Sequence, residues 1–148
     1  MRAAGHAPSV ITGSRDVAME ERLRVQEEFE NGITKVLICT DLMTRGIDVP
    51  GMKLVINFDL PFEYTGGGPG PRQPDFATFQ HRSGRVGRFG QVGAVVNLIA
   101  SDGDADALGQ LAQHFALPLR SLPAQSPEDA SVAVEDAMAR PPAAPARG

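Results

Sequence analysis

The chain has 148 residues, with 14 lysines and arginines against 18 aspartates and glutamates, and a formal net charge of −4 at pH 7. This length suits one domain of ordinary size, and the negative charge argues against the broad basic surface of many nucleic-acid-binding domains. The single cysteine, Cys39, rules out a disulfide within the chain, and the lack of a signal peptide or a membrane-length apolar run predicts a soluble intracellular protein without a membrane partner.

The first predicted helix lies between Asp16 and Gly32. Asp16 can cap its start, because a carboxylate accepts hydrogen bonds from unpaired helical amides, and Gly32 can end it in the left-handed conformation. Four residues between them follow helical spacing and form a stripe that we expect to pack on a sheet: Met19, Leu23, Gln26 and Phe29.

Three short apolar runs predict strands, at residues 36–39, 54–58 and 94–99. A short apolar run bounded by polar residues is typical of a strand that is buried on both faces, and such strands form parallel sheets with helices on both sides. We therefore expect an α/β fold with a parallel sheet and flanking helices. A later helix is expected to start near Ser101 or Asp102, with Leu108, Leu111 and Phe115 on its packed face.

A polar motif follows the first predicted strand, with the sequence Thr40-Asp41-Leu42-Met43-Thr44-Arg45-Gly46-Ile47-Asp48. Ligands of parallel sheets bind beyond the carboxyl ends of the strands. Thr40, Arg45, Gly46 and Asp48 therefore lie where a binding loop is expected.

A second motif, preceded by a glycine- and proline-rich loop at 65–71, has the sequence His81-Arg82-Ser83-Gly84-Arg85-Val86-Gly87-Arg88-Phe89-Gly90. Its three arginines recur every third residue. Arginine carries a permanent charge and a planar fork of donors that matches phosphate, while glycine lets the backbone approach a ligand closely. The pattern favours a polyphosphate site, and the alternative is a solvated basic turn.

Together these two motifs resemble motifs V and VI of DEAD-box RNA helicases. Helicases of the RecQ and DEAH types lack the His81-Arg82 pair. Within the DEAD-box group, the run from Val55 to Pro61 looks most similar to the mRNA-export subgroup.

The resemblance covers residues 5 to about 122 and implies only the second of the two RecA-like domains of these helicases. The sequence contains no Gly-x-x-x-x-Gly-Lys-Ser/Thr phosphate loop and no Asp-Glu-Ala-Asp tetrad. The family's first strand and helix would precede Met1, and residues 1–6 look like the end of that helix. We expect a RecA-like domain at 1–122 that lacks its first strand. A tail rich in alanine and proline at 123–148 is expected to be disordered, or weakly helical at 130–139.

Roles at the nucleotide are implied by the resemblance. Arg85 and Arg88 would be arginine fingers that reach ATP held mainly by the other domain, which would also hold Mg²⁺, so no metal ligands are expected here. Asp48 and Gly46 would contact ATP, with the ribose hydroxyls at Asp48, and the alternative for Asp48 is a loop-capping carboxylate. His81 and Arg82 would couple the two domains, or His81 is an ordinary helix-end histidine.

The RNA contacts implied by the resemblance are Thr40, Gly46 and Gly13, a glycine that follows a strand. The alternatives are a strand-end hydroxyl at Thr40 and a plain turn at Gly13. The expected function is that of the C-terminal half of an ATP-dependent RNA helicase in the cytoplasm, the nucleus or both, which hydrolyses ATP only when joined to an N-terminal RecA-like domain. RNA and regulatory proteins are the expected partners. The alternative is a non-enzymatic protein- or RNA-interaction module from a truncated helicase.

Overall fold

The computed structural model describes residues 8–12, 18–41, 52–64, 72–122 and 126–139. The chain divides into two units, residues 1–51 and residues 52–148. The helices and strands in chain order are β1 (Ser9–Ile11), α1 (Met19–Glu30), β2 (Leu37–Cys39), β3 (Leu54–Asn57), α2 (Phe76–Ser83), a 3-10 turn (Arg88–Gly90), β4 (Ala94–Asn97), α3 (Asp102–Phe115) and α4 (Pro127–Ala139). No described helix is long and apolar enough to span a membrane.

The first unit contains a two-stranded parallel sheet. β1 pairs with β2 in a register that places Ser9 opposite Leu37. Burial alternates along β1, with Ser9 and Ile11 buried and Val10 52% exposed, so this sheet is covered on one face. The buried Ser9 hydroxyl is hydrogen-bonded to the Thr34 hydroxyl at 2.7 Å.

The ends of α1 agree only in part with the sequence. The helix ends before Gly32, which has a φ of 70°, as predicted. The predicted cap at its start is wrong, because Ala18 is the N-cap residue and supplies no side-chain hydrogen bond. Asp16 itself lies outside the described residues.

The packed face of α1 also differs from the predicted stripe. Met19 and Leu23 are 68% and 52% exposed, whereas Val25 is buried and Arg22 and Phe29 are half-buried. These three residues also follow helical spacing. An arginine can belong to such a face because its aliphatic stem can cover apolar surface. The packed face is therefore rotated relative to the predicted stripe, and Gln26 and Phe29, both half-buried, belong to both.

The second unit contains the other parallel pair. β3 and β4 run in register from Leu54 opposite Ala94 to Asn57 opposite Asn97. All three predicted strands are present, each one or two residues shorter than expected. The α/β fold with parallel strands and flanking helices is thus confirmed, with one two-stranded sheet described in each unit.

The core of the second unit lies where α2 and α3 meet the segment after β3. Its buried residues are Leu60, Phe79, Ala107 and Leu111. Phe115 packs beside Phe79 with the ring centroids 6.0 Å apart. The start of α3 at Asp102, capped by the Ser101 side chain, and its packed face are as the sequence predicted.

The expectation that the strands are buried on both faces is wrong. Along β3, Leu54 and Ile56 are 39% and 55% exposed, whereas Asn57 on the opposite face is buried. Ile38 of β2 is also 46% exposed. An apolar run cannot reveal whether a neighbouring element covers its second face, and β2 and β3 both have exposed apolar side chains, whereas β4 is half-buried along its length.

Helix α4 lies in the stretch for which the sequence left disorder and weak helicity open. The hydroxyl of Ser126 accepts a hydrogen bond from the Asp129 amide at 3.1 Å, as a helix N-cap does. The helix contacts β4, and its half-buried residues lie on one side: Ala130, Ala133, Val134, Ala137 and Met138. The predicted helix end at 1–6, the predicted loop at 65–71 and, within the predicted tail, residues 123–125 and 140–148 lie outside the described residues.

Candidate functional site

The arginine segment, residues 81–90, begins on the last turn of α2. At the start of this helix, the two carboxylate oxygens of Asp75 accept hydrogen bonds from the amide and hydroxyl of Thr78 at 2.8 and 2.7 Å. Phe79, 2% exposed, holds the middle of the helix in the core. The two contacts fix the direction in which α2 leads into the arginine segment.

Two glycines shape the chain after α2. Gly87 has a φ of 73°, which favours glycine over any residue with a Cβ. Gly93 lies so close to the segment that an added Cβ would be 2.7 Å from the Val86 Cβ and 2.9 Å from the Gly87 nitrogen. Gly93 has no role in the sequence-based prediction, and its position directly before a predicted strand is the available signal.

Arg82 is bound to the end of the neighbouring strand. Its Nη1 donates to the side-chain oxygen of Asn57 at 3.2 Å and to the backbone carbonyl of Asp59 at 2.7 Å. Asn57 is 3% exposed, and its Nδ2 donates to the Oδ1 of Asn97 at 2.8 Å. A cation and two amides therefore connect α2 with the carboxyl ends of β3 and β4.

Arg85 and Arg88 fold back along the end of α2. The Nε of Arg85 donates to the His81 carbonyl at 3.0 Å, and the Nε of Arg88 donates to the Gly84 carbonyl at 2.7 Å. The last carbonyls of a helix lack partners within it and carry partial negative charge, so these contacts are favourable. Both side chains are half-buried, and each Nε contact orients the plane of its guanidinium.

The structure brings together four of the predicted site residues, His81, Arg82, Arg85 and Arg88, on one helix end. Thr40 is exposed directly after β2 in the first unit. The remaining predicted site residues, Gly13, Gly46 and Asp48, lie outside the described residues, as does Arg45 in the same loop. Within the described ranges, no group of three or more histidine, cysteine, aspartate and glutamate side chains could hold a metal ion.

An open cavity of about 250 Å³ lies beyond the carboxyl ends of β3 and β4. Arg72 closes one side, with its guanidinium carbon 3.8 Å from the centre of the Phe62 ring. The walls of the cavity also include Asp104 and Asp59, and the backbone carbonyl of Asp59 accepts the hydrogen bond from Arg82. This cavity is not predicted by the sequence, because its walls come from segments that are distant along the chain.

Residues 3–90 match the family model of the helicase conserved C-terminal domain, and the match spans the motif after β2 and the whole arginine segment. The chain belongs to this family. The whole arginine segment thus lies within the matched domain, beginning on the last turn of α2.

Individual proteins of similar sequence identify the subgroup within the family. The ATP-dependent RNA helicase dbp-5 of Neurospora crassa is 38% identical over 141 residues, which cover 92% of this chain and 27% of the relative. This helicase C-terminal domain spans about a quarter of the length of the curated relatives it matches. The resemblance to DEAD-box RNA helicases of the mRNA-export subgroup is confirmed.

Solved structures give the same result for the fold. The C-terminal domain of the DEAD-box protein Dbp5 superposes with a TM-score of 0.76 at 32% identity, covering 91% of this chain and 71% of that one. S. cerevisiae Dbp5 bound to RNA and ADP BeF3 superposes with a TM-score of 0.77 at 31% identity, covering 93% and 33%. S. cerevisiae Dbp5 bound to Gle1 and IP6 gives 0.79 at 31% identity, covering 94% and 34%. The RecA-like assignment is confirmed.

Proposed function

We propose that this domain is the C-terminal half of an ATP-dependent RNA helicase and that it supplies the arginine fingers for ATP hydrolysis. The observation that carries the proposal is the arginine segment, in which Arg85 and Arg88 are held in order on the end of α2 by contacts with the His81 and Gly84 carbonyls. Ordered guanidinium groups suit a site where charge develops, since they need little reorganisation during the reaction.

The chemistry follows from phosphoryl transfer. The protein contributes positioning and charge stabilisation, because the terminal phosphoryl group carries its charge on oxygens that a guanidinium fork can contact. An arginine finger raises the rate by ~10³ to 10⁵. Arg85 and Arg88 act on ATP that is bound mainly by an N-terminal RecA-like domain, and that domain holds Mg²⁺.

Other residues of the two motifs support the same nucleotide. Asp48 accepts from the ribose hydroxyls, as acidic residues do in other nucleotide sites, and Gly46 lets the loop approach. His81 and Arg82 couple domain closure to the nucleotide. The relative solved with RNA and ADP BeF3 supports ATP as the cofactor of this domain.

RNA is the proposed substrate, bound through Thr40, Gly46 and Gly13. Main-chain amides and short hydroxyl side chains contact the sugar-phosphate backbone and confer little base preference, and the 2′-hydroxyl distinguishes RNA from DNA. This mode of binding is compatible with the net charge of −4, since it needs no broad basic surface. We place the protein in the cytoplasm, the nucleus or both, with regulatory proteins as further partners, as Gle1 is in one solved relative.

The isolated chain is proposed to be inactive as an ATPase, because its sequence contains no phosphate loop to bind the nucleotide. The test uses a chimera, defined as this full chain joined behind the N-terminal domain of a DEAD-box relative. The chimera should hydrolyse ATP in an RNA-stimulated manner, whereas the chain alone and the N-terminal domain alone should not. RNA-stimulated turnover by the chain alone would refute its inactivity, and an inactive, folded chimera would refute the helicase assignment.

A second candidate function is that of a non-enzymatic interaction module. It is favoured by the exposed apolar side chains along β3, Leu54, Ile56 and the adjoining Phe58, which is 77% exposed. An inactive chimera that still binds a partner protein through this surface would support this candidate over the helicase.

A further inference from the structure

Asn57 and Asn97 lie opposite each other at the carboxyl ends of β3 and β4. The Nδ2 of Asn57 donates to the Oδ1 of Asn97 at 2.8 Å, and the backbone carbonyl of Asn57 accepts from the Leu98 amide at 3.1 Å. Asn57 is almost fully buried, so both ends of its amide need a partner.

The contact with Asn97 determines which end of the Asn57 amide faces Arg82. An amide has one donor end and one acceptor end, and Asn97 uses the donor end. The Oδ1 of Asn57 is therefore directed to Arg82, whose Nη1 lies 3.2 Å away and also donates to the Asp59 carbonyl. Reversing the amide would direct its NH₂ group at the guanidinium, where two donors would meet.

We propose that Asn57 and Asn97 are positioning residues for the arginine segment. They fix Arg82, which lies on the last turn of α2, and the carbonyls of this helix end are the acceptors for Arg85 and Arg88. A displacement of this turn therefore moves the carbonyls that hold the side chains of both proposed arginine fingers. This inference rests on the proposed function of Arg85 and Arg88.

The size of the expected effect follows from the need for accurate placement. A displacement of about 1 Å at a reacting group can reduce the rate by about 10²-fold, although no contact with the substrate is lost. Asn97 is linked to Arg82 by two hydrogen bonds, through Asn57. Loss of the Asn97 acceptor should therefore lower kcat and leave the KM for ATP nearly unchanged, since ATP is bound mainly by the other domain.

The test compares variants of the chimera. Asn97→Leu keeps a similar volume and removes the acceptor, and should lower kcat by about 10-fold to 10²-fold. Asn97→Asp keeps an acceptor for the Asn57 amide and should retain most of the turnover. Val95→Ala is the matched control, because Val95 is half-buried in the same strand; it should reduce stability without changing kcat. If Asn97→Leu does not fold, Asn97→Ala removes the same acceptor without branching or added volume.

The outcomes separate the two claims. If Asn97→Leu retains full kcat while Arg88→Lys abolishes turnover, the positioning role is refuted and the proposed function stands. An Asn97→Asp variant as impaired as Asn97→Leu would also refute it, because the acceptor would not be what matters. If Arg88→Lys retains turnover, the proposed function itself fails, whatever Asn97 does.

Discussion

Arg88 donates from its Nε to the backbone carbonyl of Gly84 across 2.7 Å, so its side chain runs along the end of α2. Arg85 makes the equivalent contact with His81. The same geometry suits an arginine that caps a helix and an arginine finger. Substitution by lysine distinguishes the two roles. Lysine keeps the charge that stabilises a helix C-terminus and loses the planar fork that matches phosphate.

The close approach of Gly93 to the arginine segment predicts a loss of stability in Gly93→Ala. The added Cβ would overlap Val86 and Gly87, and we expect a loss of about 1–3 kcal/mol in the free energy of unfolding. Urea-induced unfolding of the full chain measures this change. Gly109→Ala is the control, because nothing lies within 4 Å of the added Cβ in the middle of α3, and it should stabilise by about 0.5–1 kcal/mol. Equal effects in the two variants would contradict the close packing of Gly93.

The cap at Asp75 predicts a difference between two substitutions at one position. Asp75→Ala removes the acceptor for the Thr78 amide and should lower the free energy of unfolding by about 0.5–2 kcal/mol. Asp75→Asn keeps a side-chain oxygen and should change stability little, since asparagine is an equally good N-cap. Thermal unfolding of both variants tests this, and an Asp75→Asn variant as unstable as Asp75→Ala would show that the charge, not the cap, is important.

The half-buried side of α4 predicts that two valines in this helix differ. Val134 lies on the half-buried side of α4, whereas Val132 is 60% exposed. Replacement by alanine changes helix propensity equally at both positions, so the difference reports packing. Val134→Ala should be less stable than Val132→Ala by about 1 kcal/mol, because it removes two methyl groups that are partly buried. Equal stabilities would show that α4 contributes nothing to the second unit.

Local patterns predicted the elements well. The start of α3 near Ser101, the end of α1 before Gly32 and all three apolar strands depend on neighbouring residues, and the structure contains each of them. The four residues of the arginine segment come together because they share one helix end. Such features can be predicted because their causes lie within a few residues in the sequence.

The errors concern contacts between distant residues. The packed face of α1 differs from the predicted one because Arg22 is half-buried, whereas the more apolar Met19 and Leu23 are exposed. The contact of Arg82 with Asn57 joins residues 25 apart, and Asn57 meets Asn97 40 residues away. A sequence motif identifies the arginine but not the amide that holds it.

RNA-stimulated ATP hydrolysis by the chimera, compared between Arg88 and Arg88→Lys, tests the central claim most directly. The finger assignment predicts that kcat falls by about 10³-fold or more while the KM for ATP changes little, since the fork acts on charge that develops during transfer. Arg85→Lys should behave in the same way. Arg72→Lys is the matched control, because lysine keeps a cation over the Phe62 ring, and it should have no effect. Full turnover by Arg88→Lys, or a loss of turnover in Arg72→Lys as large as in Arg88→Lys, would contradict the account.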